Sequence, residues 1–158
     1  MRHERVDPVP ALYRAKPDLD LRVEASFETV SLTLTRLRGT LEAICPSAST
    51  DHRLELVLAE ACNNVVEHAL AGQEGEAFRL ALWIGPDRVL VRLTDRGRAM
   101  PGGRLPGGGA PAPSADTPPE GGFGWPLIRR LCSSIRYCRR DGENRLDLAI
   151  PIGSPAPE

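Results

Sequence analysis

Apolar and polar positions along this chain follow two periods, and each period predicts a kind of regular element. Alternation predicts β-strands, at residues 19–25, 78–84, 88–94, 135–140 and 145–152. Apolar residues spaced at three and four predict amphipathic helices, at residues 27–44, 54–70 and 125–133. The order strand, two helices, hairpin, loop, helix, hairpin predicts an α+β fold, a two-layer sandwich with helices on one face of a mainly antiparallel sheet.

The helix predicted over residues 54–70 has an unusual polar face. Glu60, Asn64 and His68 follow one another at i, i+4 and i+8, so they form one stripe. Solvated helix faces usually carry Lys and Arg, whereas these shorter oxygen- and nitrogen-bearing groups suit a cation and a water. For an isolated stripe, a solvated helix face remains the alternative.

A long stretch between the two predicted hairpins cannot pack a core. Residues 99–120 are rich in Pro and Gly and almost free of large apolar side chains. Structureless loops of about 20 residues are uncommon inside compact domains, where they are usually lids or disordered. An inert insertion is the alternative, but a Gly-x-Gly and the start of a helix with Pro126 in its first turn follow directly.

Composition narrows the function classes. A chain of 158 residues is long enough for one domain with a real core, and its net charge of −1 gives no support for nucleic-acid binding. We expect no membrane span and no secretory signal, hence a cytoplasmic protein, because no apolar run approaches the required length.

Residues 1–17 suggest a flexible arm and residues 153–158 a tail. The cysteines lack metal-type spacing and are interpreted as reduced thiols: Cys45, Cys62, Cys132 and Cys138.

Three short motifs lie at element ends, and the first is Glu60-x-x-x-Asn64 on the polar stripe. The side-chain carbonyl of Asn64 is a hard, neutral oxygen ligand of the kind that Mg²⁺ accepts beside waters and phosphates. Glu60, one turn earlier, can accept a proton from an attacking hydroxyl or water. The pair therefore predicts a metal ligand next to a general base.

The other two motifs are Asp95-x-Gly97 at a strand end and Gly122-x-Gly124 at a helix start. Asp95 can accept a hydrogen bond from an exocyclic amine such as that of adenine, and Gly97 lets the backbone pass close to the base. The two later glycines permit close approach, and the helix that follows offers free N–H groups to phosphate. Each motif alone is weak, so the order and placement of all three carry the prediction of a nucleotide site.

This combination resembles the ATP-binding domain of the GHKL superfamily, which includes gyrase, Hsp90, histidine kinases and MutL. EACNNVVEHA resembles the N box, DRGRAMP the G1 box and GGFGWPLIRRL the G2 box. The resemblance covers residues 18–152, makes residues 99–121 the ATP lid and implies the Bergerat form of the two-layer sandwich. Within the superfamily the chain is most similar to the HATPase_c_2 group of bacterial anti-sigma factors that are also serine-protein kinases.

The resemblance implies a role for each motif residue. Asn64 would bind Mg²⁺, Glu60 would activate the substrate serine, and Asp95 would contact adenine in a pocket shaped by Gly97. The two glycines of the third motif would lie beside the phosphates of ATP. The resemblance leaves a direct role for His68 open.

The sequence departs from the family pattern at two positions. Ala99 stands where the D-x-G-x-G pattern has its second glycine, and Asn144 lies where a threonine or serine often precedes the last strand. Asn144 either takes over that hydrogen bond at the nucleotide end of the pocket, or the contact is absent. Arg96 and Arg98 could contact nucleotide or partner, although exposed arginines are more often solvated.

The function implied by the resemblance is a partner switch. With ATP and Mg²⁺ bound, the protein would sequester a sigma factor or a similar target, and it would phosphorylate a serine of a STAS-type antagonist. A homodimer is expected from the same resemblance. The alternatives are a nucleotide-dependent binding module without transfer, a domain that has lost ATP binding, and a histidine-kinase domain. The last is disfavoured because the chain has no room for a dimerisation helix pair with a phosphoacceptor histidine.

Overall fold

A single antiparallel sheet organises the structure, a computed structural model that describes residues 11–71, 73, 75–107 and 124–153. Its strand order is β1-β2-β3-β5-β4, and all four pairings are antiparallel. The strands are β1 (Leu19–Glu24), β2 (Ala77–Ile84), β3 (Arg88–Asp95), β4 (Ser134–Arg140) and β5 (Glu143–Pro151). The predicted α+β fold is therefore confirmed.

The helices lie close to their predicted positions, with two local differences. They are α1 (Phe27–Ile44), α2 (Pro46–Ser49), α3 (His52–Asn64) and α4 (Gly124–Leu131). The predicted polar connection after α1 forms the short helix α2, which Pro46 begins. The long polar-stripe helix is α-helical only to Asn64 and continues as a π-helix over Val65–Ala69.

The main core fills the space between one face of the sheet and helices α1, α3 and α4. Side chains with 4% exposure or less come from both layers: Val30, Leu37, Leu54, Leu58, Leu80, Leu82, Val91, Ile128 and Leu148. Each such side chain contributes about 1.5–3 kcal/mol when removed from water. Side-chain caps begin the two long helices, since Ser26 accepts from Thr29 N and Asp51 from Arg53 N. This packing fixes α3 across the sheet with its polar stripe turned toward the end of β3.

The opposite face of the sheet carries a small second cluster around Trp83. A 3₁₀ turn, Ala11–Arg14, covers it, with the Tyr13 and Trp83 rings 5.1 Å apart at an interplanar angle of 77°. Trp83 Nε1 donates to Ala15 O at 2.9 Å, and the Arg92 guanidinium lies 4.7 Å from the Tyr13 ring centroid. The sequence predicts a loose arm to residue 17, whereas its part from residue 11 onward packs here because one aromatic side chain covers another.

Within the part of the chain that the structure describes, no helix combines the length and apolar character needed to span a bilayer.

Candidate functional site

A cavity of about 460 Å³ opens where α3, the end of β3, the start of α4 and the β4–β5 hairpin meet. Asn64, Asp95 and Asn144 line it directly. Three more of the predicted residues border these groups: Glu60, Gly97 and Gly124. Gly122 lies outside the described residues. The structure thus brings together, at one cavity, residues that are up to 84 positions apart along the chain.

At one end of the cavity, which we call the phosphate end, Glu60, Asn64 and Gly124 meet. A Cβ added to Gly124 would lie 2.8 Å from Glu60 Oε2 and 3.6 Å from both Asn64 side-chain polar atoms. A glycine at the start of α4 therefore lets these two side chains approach the first turn of the helix. The free N–H groups of that turn and a carboxylate are thus within reach of one bound group.

The Asn64 amide has a buried atom, Nδ2, with no hydrogen-bond partner among the described residues. Buried polar atoms are nearly always paired, and a native exception often marks an ion or water that completes the site. Amide oxygen and nitrogen are interchangeable by rotation, so either can point to this position. The described residues contain no group of three or more His, Cys, Asp or Glu able to hold a metal. A single amide oxygen fits Mg²⁺, which takes few protein ligands and completes its shell with waters and substrate phosphates.

At the opposite end, which we call the base end, Asp95 closes β3 with 7% of its surface exposed. Its Oδ1 accepts two hydrogen bonds of 2.8 Å, from Gly97 N and from Asn144 Nδ2. Its other oxygen, Oδ2, accepts no hydrogen bond from the described residues. The carboxylate is therefore held by one oxygen and has the second available to a donor in the cavity.

The Asn144 side chain uses its whole hydrogen-bonding capacity within the protein. Nδ2 donates to Asp95 Oδ1 and to Arg98 O, at 2.8 and 2.7 Å. Oδ1 accepts from Tyr137 Oη at 2.7 Å and from Arg139 Nη1 at 2.8 Å. The side chain lies at the cavity wall with 4% of the residue exposed. The amide therefore has no hydrogen-bonding position left for a ligand, which favours the second alternative, that the direct contact is absent, and Asn144 reaches the base end through Asp95.

Gly97 is required by the close approach of two backbone segments. A Cβ at this position would overlap the carbonyl of Ala69 and press on the Leu70 side chain. Arg98 N donates to Ala69 O at 2.8 Å just beside it. Ala69 is the last residue of the π-helical turn, in which Leu70 N donates to Val65 O, five residues earlier. The π-turn therefore supplies the carbonyl that joins the polar-stripe helix to the segment after β3.

Three residues of the site were not predicted from the sequence: Tyr137, Arg139 and Trp125. Trp125 adds an aromatic wall to the cavity. One signal was available: a tight turn at Asp141-Gly142 pairs Arg139 with Asn144 across the hairpin. In this register Tyr137 lines the cavity, and both Tyr137 and Arg139 donate to Asn144 Oδ1.

The three remaining polar candidates are peripheral. His68 lines the rim of the cavity with its side chain 63% exposed, and its Nε2 lies 3.8 Å from Glu67 Oε2. Arg96 is exposed and lies 3.9 Å from Glu143. Arg98 also borders the cavity, and its backbone N–H and carbonyl make the contacts described above.

The cysteines lie outside this chemistry. All four are free thiols. Burial raises the pKa of Cys62, on the core side of α3, to about 12. Burial raises the pKa of Cys132 to about 12 as well. Both therefore stay protonated at neutral pH and behave as apolar packing groups.

Comparisons with known proteins match most of the chain. The histidine kinase-like ATPase domain family matches residues 23–150. The serine/threonine-protein kinase BtrW of Bordetella bronchiseptica is 33% identical over 138 residues, covering 80% of this chain and 94% of its own. The serine-protein kinase RsbW of Bacillus subtilis is 24% identical over 127 residues, covering 78% and 79%.

A solved structure shares the fold. The chain with the RsbU and RsbW domains of Rv1364c from Mycobacterium tuberculosis superposes with a TM-score of 0.54 at 20% identity. The match covers 89% of the present chain and 34% of that chain, so the present chain spans about a third of its length.

Proposed function

This chain belongs to the histidine kinase-like ATPase domain family, and on that basis we propose that it binds ATP with Mg²⁺ and phosphorylates a serine of a STAS-type partner in a partner-switching pathway. The observation that carries the proposal is one cavity with two chemically different ends. At one end lies Asp95, a carboxylate with one oxygen hydrogen-bonded to the protein and the other available to a ligand. At the other end, Glu60 and Asn64 meet the start of α4. An adenine nucleotide needs both ends.

At the base end, Asp95 Oδ2 accepts the exocyclic amine of adenine, and Gly97 keeps the chain close to the base. The apolar wall contributed by Leu146, Val65 and Met100 covers the ring. Burial of such a ring against aliphatic side chains supplies affinity, whereas the carboxylate supplies the choice of base.

At the phosphate end, Asn64 is the protein ligand of Mg²⁺, which when bound neutralises charge on the phosphates. Gly122 and Gly124 flank the phosphates beside the N–H groups of α4. Glu60 accepts the proton of the substrate serine while the serine oxygen bonds to the γ-phosphorus. The bond from that phosphorus to the bridging oxygen breaks, and ADP leaves. Catalysis of this kind consists mostly of positioning and charge stabilisation.

The biological role follows the names of the relatives, which are serine-protein kinases. We propose that the nucleotide-bound protein, as a homodimer, sequesters a sigma factor or a similar target and releases the phosphorylated STAS antagonist. We propose that the ATP-binding domain spans residues 18–152, with its lid at about 99–121.

Two measurements on the wild-type protein test the proposal. Calorimetric titration with ATP, with and without Mg²⁺, should show saturable binding that strengthens with the metal. Incubation with γ-labelled ATP and a candidate STAS-type partner should place label on a serine of that partner. Absence of ATP binding would defeat the whole proposal. Tight binding without any transfer would leave a nucleotide-dependent binding module in place of a kinase.

A further inference from the structure

The hydrogen bonds around Asn144 can run in only one direction. The Arg139 guanidinium can only donate, and the Arg98 carbonyl can only accept. The amide must therefore present Oδ1 to Arg139 and Nδ2 to Arg98, at 2.8 and 2.7 Å. A rotated amide would set donor against donor and acceptor against acceptor.

The Tyr137 hydroxyl reinforces this direction. Its oxygen accepts from Met100 N at 3.1 Å, and a backbone N–H can only donate. The hydroxyl proton is therefore free to point to Asn144 Oδ1, 2.7 Å away. Two donors from β4 thus converge on one amide oxygen and fix the orientation of the whole group.

The fixed amide in turn orients Asp95. Asn144 Nδ2 donates to Oδ1, and Gly97 N donates to the same oxygen, both at 2.8 Å. Rotation of the carboxylate would break both bonds in a nearly buried position, where lost bonds are costly. Oδ2, which accepts no hydrogen bond from the described residues, is consequently the oxygen left for a donor in the cavity that Asp95 lines.

The same side chains hold the segment that leads from β3 toward the lid. Arg139 Nη1 donates to Gly97 O at 2.9 Å, Asn144 donates to Arg98 O, and Tyr137 accepts from Met100 N. Within residues 97–100, hydrogen bonds therefore join Gly97, Arg98 and Met100 to the β4–β5 hairpin.

We propose that Tyr137 and Arg139 are positioning residues for base selection, which act through Asn144 to aim Asp95 Oδ2 at the amino group of adenine. The inference rests on the proposed binding of ATP. It assigns to two β4 side chains a role in telling a 6-aminopurine from other purines. Neither side chain needs to touch that amino group.

The test compares ATP with purine riboside 5′-triphosphate, which lacks the 6-amino group. Wild-type protein should bind ATP about tenfold more tightly, since a hydrogen bond to a charged group is lost in the analogue. Tyr137→Phe keeps the ring and removes the hydroxyl, and Arg139→Met keeps the aliphatic stem. In both variants the ratio of the two dissociation constants should fall to about threefold, because only ATP uses Asp95 Oδ2.

Matched controls are available on the other face of the sheet and at its edge. Tyr13→Phe removes a hydroxyl that donates to Leu148 O, and Arg140→Met removes a guanidinium that is 92% exposed. Both controls should keep the wild-type ratio. Thermal unfolding of each variant reports whether the fold is intact.

The inference fails in two ways that the titrations separate. If Tyr137→Phe and Arg139→Met weaken ATP and the analogue equally, the two residues serve the fold alone. If neither variant changes either affinity, Asp95 is held without them. A wild-type protein that binds neither nucleotide would overturn the proposed function, and this inference with it.

Discussion

The polar side chains at the two ends of the cavity differ in how fully they are hydrogen-bonded within the protein. At the base end, the Asn144 amide makes four hydrogen bonds, and one oxygen of Asp95 accepts two. At the phosphate end, the Asn64 amide has a buried nitrogen without a partner among the described residues. An unpaired buried group costs about 1–3 kcal/mol. The protein therefore fixes the orientation of its polar groups at the base end and leaves only Asp95 Oδ2 open there, whereas at the phosphate end it leaves the Asn64 amide for a ligand to complete.

This difference matches the two tasks of the proposed kinase. Base selection benefits from a carboxylate that is already aimed before the nucleotide arrives, because preorganisation lowers the cost of ordering on binding. The phosphate end must accept a metal, phosphates and a substrate hydroxyl, and then release products. Substitutions at the phosphate end should therefore affect ligands and chemistry, whereas those at the base end should also affect the fold.

The largest effect is expected from Glu60→Gln at the phosphate end. Loss of a general base lowers a rate by about 10²–10⁴-fold, and the neutral amide keeps the shape of the side chain. The initial rate of label transfer to the STAS partner should fall within that range while ATP affinity changes little. Glu55→Gln, an exposed position on the same helix, is the matched control. A Glu60→Gln protein that transfers phosphate at the wild-type rate would remove Glu60 as the base.

The next effect is expected from Asn64→Ala, which deletes the proposed metal ligand. Tightening of ATP binding by Mg²⁺ should drop by roughly 100-fold in calorimetric titrations. Metal-free ATP binding should stay close to wild type, because the base end is intact. Asn63→Ala tests the neighbouring amide on the same helix and should retain the metal effect. Equal loss with and without Mg²⁺ would show that Asn64 supports the fold of the pocket and not a metal.

Alanine substitutions of two glycines, one at each end of the cavity, should differ in their effect on the free energy of unfolding. Gly97→Ala forces a methyl group into the Ala69 carbonyl, and such overpacking costs about 2 kcal/mol of the free energy of unfolding. The methyl group of Gly124→Ala would press on the end of a flexible Glu60 side chain and make ordinary contact with the Asn64 amide, so it should alter ATP binding and leave stability nearly unchanged. Urea unfolding measures both. Gly39→Ala, with open space around it in α1, should be neutral or slightly stabilising, and a similar cost at all three glycines would contradict the contrast.

The fold and the phosphate end could be predicted because both are local in sequence. Alternation and helical spacing located the elements, and Glu60 and Asn64 share one helix face, four residues apart. Among the described residues, the long-range contact at this end is the approach of the start of α4 to that helix face. The polarity of these side chains suggested a cation and a water, and the order of the three motifs along the chain then favoured a nucleotide site over a solvated face.

The base-end network could not be predicted in the same way. Tyr137 and Arg139 have a role only through the register of β4 on β5. The Asp141-Gly142 turn indicates that register, but it does not show which of the paired side chains share hydrogen bonds with Asp95 or Asn144. The π-turn at Val65–Ala69 also escaped prediction, because five residues are too few to distinguish its period from that of an α-helix. Docking of Tyr13 on the sheet was missed for a related reason, since a single aromatic residue in a proline-rich segment has no period.

The smallest effect is expected from His68→Ala, at the rim and outside both ends. The His68 side chain is 63% exposed, and its contact with Glu67 spans 3.8 Å. Exposed pairs of this kind contribute about 0–1 kcal/mol, so ATP affinity should change by less than about fivefold. A larger loss, above all one confined to Mg²⁺-ATP, would extend the phosphate end by one helical turn and make His68 part of it.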